Sequence, residues 1–310
     1  DIGVGMTLSK EINKDPAMAD LLFSVFSFQQ QTKYFNPKPP MPTKRTLEDI
    51  IEKMPAMRSL GKCRDDREVF QKIGQEAFNI LKWVILTCRS NFLSLPPSLE
   101  FSSFRRRDDV YCQQFMALTA TPEQEMIFQQ MKKKYGSRFM WHGSPTIRWH
   151  TIIREGLKNF TGNDEMTNVG QAYGRGIYFA PVPQTSIGYT RPTDYPDVRN
   201  KYKNSTFGDN FTVVSLVEVI NLPLSKEEIV EIEFNGDEPG TKIVKKFKGL
   251  LIDHGYCFTL QFDEIGGNIH DLASIVRFLF VNLPENAPET INEKYIPTLN
   301  QVLSLRANIK

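Results

Sequence analysis

The chain has 310 residues, 40% of them apolar, and its 38 basic and 36 acidic side chains leave a formal charge of +2; it can bury at least one full core, but it lacks the positive field that drives nonspecific nucleic-acid binding, so nucleic acid is not an expected partner. The four cysteines, Cys63, Cys88, Cys112 and Cys257, form no CxxC pair, which argues against a zinc cage or a disulfide framework, so no metal is expected. No window approaches the roughly 18 apolar residues of a membrane span, and the opening DIGVGMTLSKEINKD has no basic stretch followed by an apolar run, so a soluble intracellular protein, cytoplasmic or nuclear, is expected.

In chain order, a short leader is followed by YFNPKPPMPTKR (34–45), whose prolines disfavour helix and strand and mark an extended connector. Thr46 is placed to cap a helix through LEDIIEKM, with Glu48 and Asp49 in its first turn and Pro55 at its end. From Asp66 to Leu93 the apolar residues Phe70, Ile73, Ala77, Ile80, Leu81, Val84 and Cys88 follow helical spacing, and FNILKWVIL is apolar nearly all round, which predicts a buried helix. LSLPPSL (93–99) stops it, the charged SSFRRRDD (102–109) reads as solvated surface, and Thr121-Pro122 opens an amphipathic helix over 122–135. After about residue 136 the pattern changes to short strands: RFMWHGS, GIYFAPV, FTVVSLVEVIN, EIVEIEF, KKFKGLLI and SIVRFLFVNL. One clear helix interrupts them, started by Ser144 and Pro145, buried through Trp149, Ile152 and Ile153, and stopped by Gly156. The expected class is α+β, with a leader and connector over 1–45, a helical region over 46–135 and a strand-rich domain over 136–310.

The chemistry concentrates at HGSPT (142–146). A His at a strand end followed by Gly offers an imidazole and a backbone stretch that a flat ligand can approach. Gly174 and Gly176 then precede a strand carrying Tyr178, and SIGY supplies a hydroxyl at Ser186 and an aromatic face at Tyr189. Two tyrosines and a hydroxyl around a bare backbone turn suit a planar aromatic carboxamide such as nicotinamide. The Gly174/Gly176 spacing is not the GxGxxG fingerprint, and no βαβ unit surrounds it. His150, beside Trp149, reads as a packing or capping residue, and His254 and His270 lie in turn-rich stretches without a partner motif.

The runs FMWHGSPTIRWHTIIREGLKN and GQAYGRGIYFAPVPQTSIGYT closely resemble the catalytic domain of the poly(ADP-ribose) polymerase family, the diphtheria-toxin-like ADP-ribosyltransferases, over roughly residues 136–283. FNILKWVILTCRSNFLSLP also resembles the segment ahead of that domain in the mono-ADP-ribosylating branch. The resemblance implies NAD+ as co-substrate. It implies that His142 bonds the adenosine ribose, Gly143 clamps the nicotinamide carboxamide by its backbone with help from Ser186, and Tyr178 and Tyr189 sandwich the ring. Ser144 stands where the family contacts ribose, and Tyr173 stands as pocket wall.

The family carries a catalytic glutamate on a later strand, and aligning the apolar core of SIVRFLFVNL puts Phe278 at its position; a slip of one residue gives Arg277 or Leu279. None of the three is a carboxylate. A phenyl ring neither accepts a strong hydrogen bond nor takes a proton, so chain elongation is expected to fail while transfer of one unit to a protein side chain, including the chain's own, persists. The rival expectations are a catalytically silent NAD+- or ADP-ribose-binding module and a transferase acting on nucleic-acid ends.

Overall fold

A computed structural model describes residues 7–28, 38–43, 45–88, 91–104, 106–107, 110–120, 122–158, 174, 176–190, 199–223, 228–235, 240–264, 272–289, 291, 294 and 296–307. Ahead of the proline-rich connector the chain forms two helices, α1 (Leu8–Lys14) and α2 (Pro16–Ser27), where the sequence pattern predicted only a short leader. Pro16 occupies the first turn of α2, where a missing N–H costs nothing, and the Asp15 side chain accepts from the Met18 N–H at 3.0 Å. Leu21, Phe23, Val25 and Phe26 of α2 are buried.

Four more helices follow: α3 (Leu47–Lys53), α4 (Met57–Leu60), α5 (Asp66–Ile73) and α6 (Gln75–Leu86). Thr46 caps α3 as its position suggests, its hydroxyl accepting from Asp49 N–H at 3.1 Å. The single helix expected from Asp66 onward is two, because Gly74 adopts φ +81° and turns the chain between α5 and α6.

The remaining elements are β1 (Asn91–Ser94), β2 (Arg106–Arg107), β3 (Val110–Tyr111), β4 (Gln113–Thr119), α7 (Pro122–Tyr135), β5 (Ser137–Gly143), α8 (Trp149–Glu155), β6 (Ile177–Phe179), α9 (Pro183–Gly188), β7 (Val213–Ile220), β8 (Glu228–Asn235), β9 (Lys242–Asp253), β10 (Phe258–Glu264), β11 (Ser274–Val281) and α10 (Leu299–Ala307). They build a five-stranded sheet of order β1-β4-β11-β7-β5, a four-stranded sheet of order β6-β10-β9-β8 and the small β2–β3 pair. All pairings are antiparallel. With its helices this is the expected α+β class.

Strands begin earlier than residue 136, since β1 and β4 form one side of the larger sheet. β10, α9 and α10 were also not anticipated. β7 is buried along its whole length. One face of the larger sheet packs into a core shared with the helices; the other carries Trp141, Leu216, Phe278 and Phe280 against Phe101, Phe104 and Val302. No helix among the described residues is long and apolar enough to cross a membrane.

Candidate active site

A backbone bridge joins the two larger sheets. Trp141 of β5 and Ala180, just past β6, exchange backbone hydrogen bonds, each at 2.8 Å. This contact sets the next residue of β5, His142, against Tyr178, whose carbonyl lies 2.9 Å from His142 Nδ1. A carbonyl only accepts, so Nδ1 carries the proton, and Nε2 of the neutral ring is an acceptor suited to a hydroxyl. Burial lowers the His142 pKa below its ordinary value and outweighs the opposing pull of the Tyr178 carbonyl. The ring meets Phe179 edge-on at 5.9 Å and Trp149 at 6.3 Å.

Gly143 ends β5, and a Cβ there would lie 1.8 Å from the Ser186 carbonyl oxygen and 2.6 Å from its carbon. The glycine is therefore required by the protein itself, because α9 rests its backbone on the end of β5. Pro183 starts α9, and the Gln184 amide donates to the Ala287 carbonyl, tying the helix to the loop after β11. The expected hydroxyl thus stands on a helix, and the expected aromatic face three residues on, at its C-terminal cap. Ser186 is buried and Tyr189 is half exposed at the helix end. Tyr189 N–H donates to the Ser186 carbonyl at 3.1 Å.

Tyr178 sits in the middle of β6, its hydroxyl donating to the Gly174 carbonyl at 2.6 Å. Gly176 is held at φ +144°, and a Cβ there would fall 2.4 Å from Thr259 Cγ2 and 2.6 Å from the Leu260 carbonyl, so β10 dictates this glycine. Ser144 follows Gly143 directly, and its carbonyl accepts from the Trp149 indole N–H at 2.9 Å. Tyr173 lies outside the described residues. The structure thus groups His142, Gly143, Ser144 and Ser186 around the end of β5, with Tyr178 on the facing strand edge and Tyr189 at the end of α9. An imidazole acceptor, a bare backbone turn and a buried hydroxyl thus lie close together, a set that suits a flat polar ligand. Among the described residues no group of His, Cys, Asp and Glu side chains is arranged to hold a metal ion.

Phe278 is not part of this group. It is buried, with its ring edge-on to Phe101 at 5.2 Å. Register puts it beside Leu216, which lies beside Trp141; paired residues share a sheet face and neighbours along a strand alternate, so Phe278 points away from the side His142 takes. The residue in register with His142, across Ser215, is Leu279, which is buried. An irregularity between Val276 and Phe278 lies at Arg277, whose guanidinium binds Glu125 at 2.9 and 3.0 Å and Glu218 at 2.8 Å. Glu218, the buried carboxylate of β7, also accepts from Ser137 at 2.6 Å and Lys132 at 2.5 Å. Burial raises its pKa, but these partners and Arg277 prevail and hold it below the usual carboxylate range. It stands three residues from Ser215 and so faces the opposite side of the sheet.

Two contributors escaped the sequence pattern. Trp149 was read only as helix core, although it also reaches Ser144 and His142. Thr259, the strand partner of Tyr178, receives a contact from His254 Nε2 at 2.9 Å; it belongs to β10, which was not foreseen.

Residues 111–249 match the family model described as the poly(ADP-ribose) polymerase catalytic domain. Curated relatives include the protein mono-ADP-ribosyltransferase PARP8 of Mus musculus and that of Homo sapiens, each 27% identical over 210 residues, covering 61% of this chain and 24% of the relative. The chain therefore spans about a quarter of the length of these relatives. Every residue from His142 to Tyr189 falls inside the matched segment; β11 falls outside it.

Proposed function

We propose that the poly(ADP-ribose) polymerase catalytic domain carried by this chain, an NAD+ ADP-ribosyltransferase, passes one ADP-ribose unit at a time to protein side chains, its own included, and releases nicotinamide. The observation that carries the single-unit reading is on β11: Leu279 stands in register with His142, Phe278 is buried on the other face, and Arg277 is engaged by Glu125 and Glu218. None of them can activate a second ribose hydroxyl as a base. The name of the curated relatives, mono-ADP-ribosyltransferase, agrees.

In this reading His142 Nε2 accepts from the adenosine ribose, Ser144 contacts ribose, and the Gly143 backbone and Ser186 hydroxyl hold the carboxamide. Tyr178 and Tyr189 stack on the ring. The bond between ribose C1′ and the pyridinium nitrogen breaks with its electron pair leaving on nicotinamide, which needs no proton because the leaving group starts cationic. A carboxylate or thiolate already ionised at neutral pH then bonds to C1′, so the missing base is not required for one transfer. None of the four cysteines is in a disulfide, which fits an intracellular compartment, cytoplasmic or nuclear.

Incubating the chain with NAD+ labelled in its adenylate part, followed by mass spectrometry, tests this. The expected result is label on protein in single units with nicotinamide released. A ladder of units refutes the single-unit reading; NAD+ binding without transfer establishes a silent binding module, and label on an oligonucleotide alone moves the acceptor to nucleic acid.

A further inference from the structure

Trp149 is the first residue of α8 and is fully buried. Its indole N–H donates to the Ser144 carbonyl at 2.9 Å, and its ring meets the His142 ring at 6.3 Å with 66° between the planes. One side chain thus touches the residues on both sides of Gly143. The strand cannot hold Ser144, because β5 ends at Gly143. Among the described residues the imidazole bonds the protein through Nδ1; that bond fixes its direction, and the edges of Trp149 and Phe179 fix its plane.

The indole is itself held from the side away from the site. The next residue, His150, lies between the rings of Phe26 on α2 and Trp83 on α6, at 5.3 and 5.8 Å. One turn on, the Arg154 guanidinium sits 4.2 Å over the Trp83 ring and donates to Thr87 Oγ1 at 2.9 Å. α8 is therefore clamped to the helical layer, and Trp149 is the point where that clamp reaches the turn.

We propose that Trp149 is a positioning residue for the ribose-binding half of the site: by fixing the Ser144 carbonyl and the His142 plane it sets affinity for the ADP-ribose part of NAD+, while the carboxamide clamp of Gly143 and Ser186 does not depend on it. The proposal rests on the reading of this site as an NAD+ pocket.

Trp149→Phe removes the N–H donor and keeps an aromatic ring in the core. Calorimetric titration is run with NAD+, with ADP-ribose and with benzamide, a planar aromatic carboxamide that lacks ribose. NAD+ and ADP-ribose are expected to bind about 3- to 10-fold more weakly, the loss of one neutral hydrogen bond. Benzamide affinity should stay within about twofold. Unchanged affinity for all three, or an equal fall in all three, overturns the proposal. Should W149F not fold, the indole ¹⁵N–¹H resonance of Trp149 in the unaltered chain decides: it should move on adding ADP-ribose and stay on adding benzamide, and a resonance that ADP-ribose leaves in place overturns the idea. If the unaltered chain binds none of the three ligands, the NAD+ reading itself has failed; if it binds all three and W149F loses only benzamide, the fault is with the role given to Trp149.

Discussion

His150 is buried completely beside Phe26 and Trp83. Burial, and then the nearby Arg154 cation, lower its pKa well below the ordinary 6.5. In the unfolded chain the same imidazole titrates near 6.5. Between that value and the depressed folded one, the unfolded state takes up a proton that the folded state refuses, so stability falls as the pH drops, and above about 6.5 this group contributes no slope. Denaturant titrations should therefore show stability declining from pH 7 to 5.5 by up to ~1.4 kcal/mol per pH unit, the limit for one proton. His150→Phe should flatten most of that decline; His142, whose pKa is also lowered by burial, leaves a remainder. An acid limb unchanged in H150F would mean that other groups set it. At this scale the closeness of Gly143 to Ser186 agrees with reading two short stretches, HGS and SIGY, as one group. The place of Phe278 was not legible, since the face a strand residue presents depends on register and on the irregularity at Arg277, and these follow from partners more than fifty residues away.

A helix and a strand end form the proposed carboxamide clamp, and the glycine between them has no spare volume. Gly143→Ala places a methyl group 1.8 Å from the Ser186 carbonyl, so α9 must lift from β5 or the strand end must give way. We expect a loss of about 1–3 kcal/mol in urea denaturation, the usual cost of forced overpacking, with benzamide and NAD+ binding lost because Ser186 and Tyr189 move with the helix. Gly174→Ala is the control: its φ is +85° with open space around it, so the cost is backbone strain of about 1–2 kcal/mol without displacement of α9. Equal binding by the two variants would remove α9 from the account of the clamp. The sequence pattern pointed to the residues of the proposed clamp but not to the helix that carries Ser186. α9 is six residues long and starts on the second proline of a Pro-x-Pro stretch that reads as a loop. β4 opens with Gln113 and Gln114, which look exposed; Gln114 is in fact buried, accepting from Phe101 N–H at 2.8 Å and donating to its carbonyl at 3.1 Å. Polar side chains satisfied by a distant loop leave no hydrophobic period to read.

Across the whole molecule, the segment ahead of the connector is tied into the strand-rich part by buried polar contacts as well as by apolar packing. Asp20 of α2 is buried and accepts from Ser24 at 3.0 Å, from Ser205 at 2.8 Å, and from both the N–H and the hydroxyl of Thr206 at 2.8 Å. Ser27 donates to Asn200 at 2.6 Å. Tyr202, on the same stretch, packs edge-on against Phe23 at 5.0 Å, donates to the Pro55 carbonyl and accepts from Met57 N–H; burial and the Asp20 charge raise its pKa. A chain lacking residues 1–45 leaves Tyr202, Trp83 and His150 without their apolar cover and strips the donors of Ser205 and Thr206 of the carboxylate they meet. The buried α2 side chains Leu21, Phe23, Val25 and Phe26 alone contribute about 1.5–3 kcal/mol each, which in sum approaches the whole stability of an ordinary domain. The truncated chain should therefore be recovered largely aggregated, and any soluble fraction should melt well below the full chain and bind NAD+ more weakly, because α8 has lost Phe26. A detachable lid over the pocket would behave in the opposite way, leaving a stable remainder whose NAD+ affinity is equal or higher. Melting curves and NAD+ titrations on the two chains separate these outcomes, and a soluble truncated chain with undiminished melting temperature would show the first two helices to be an accessory to the fold.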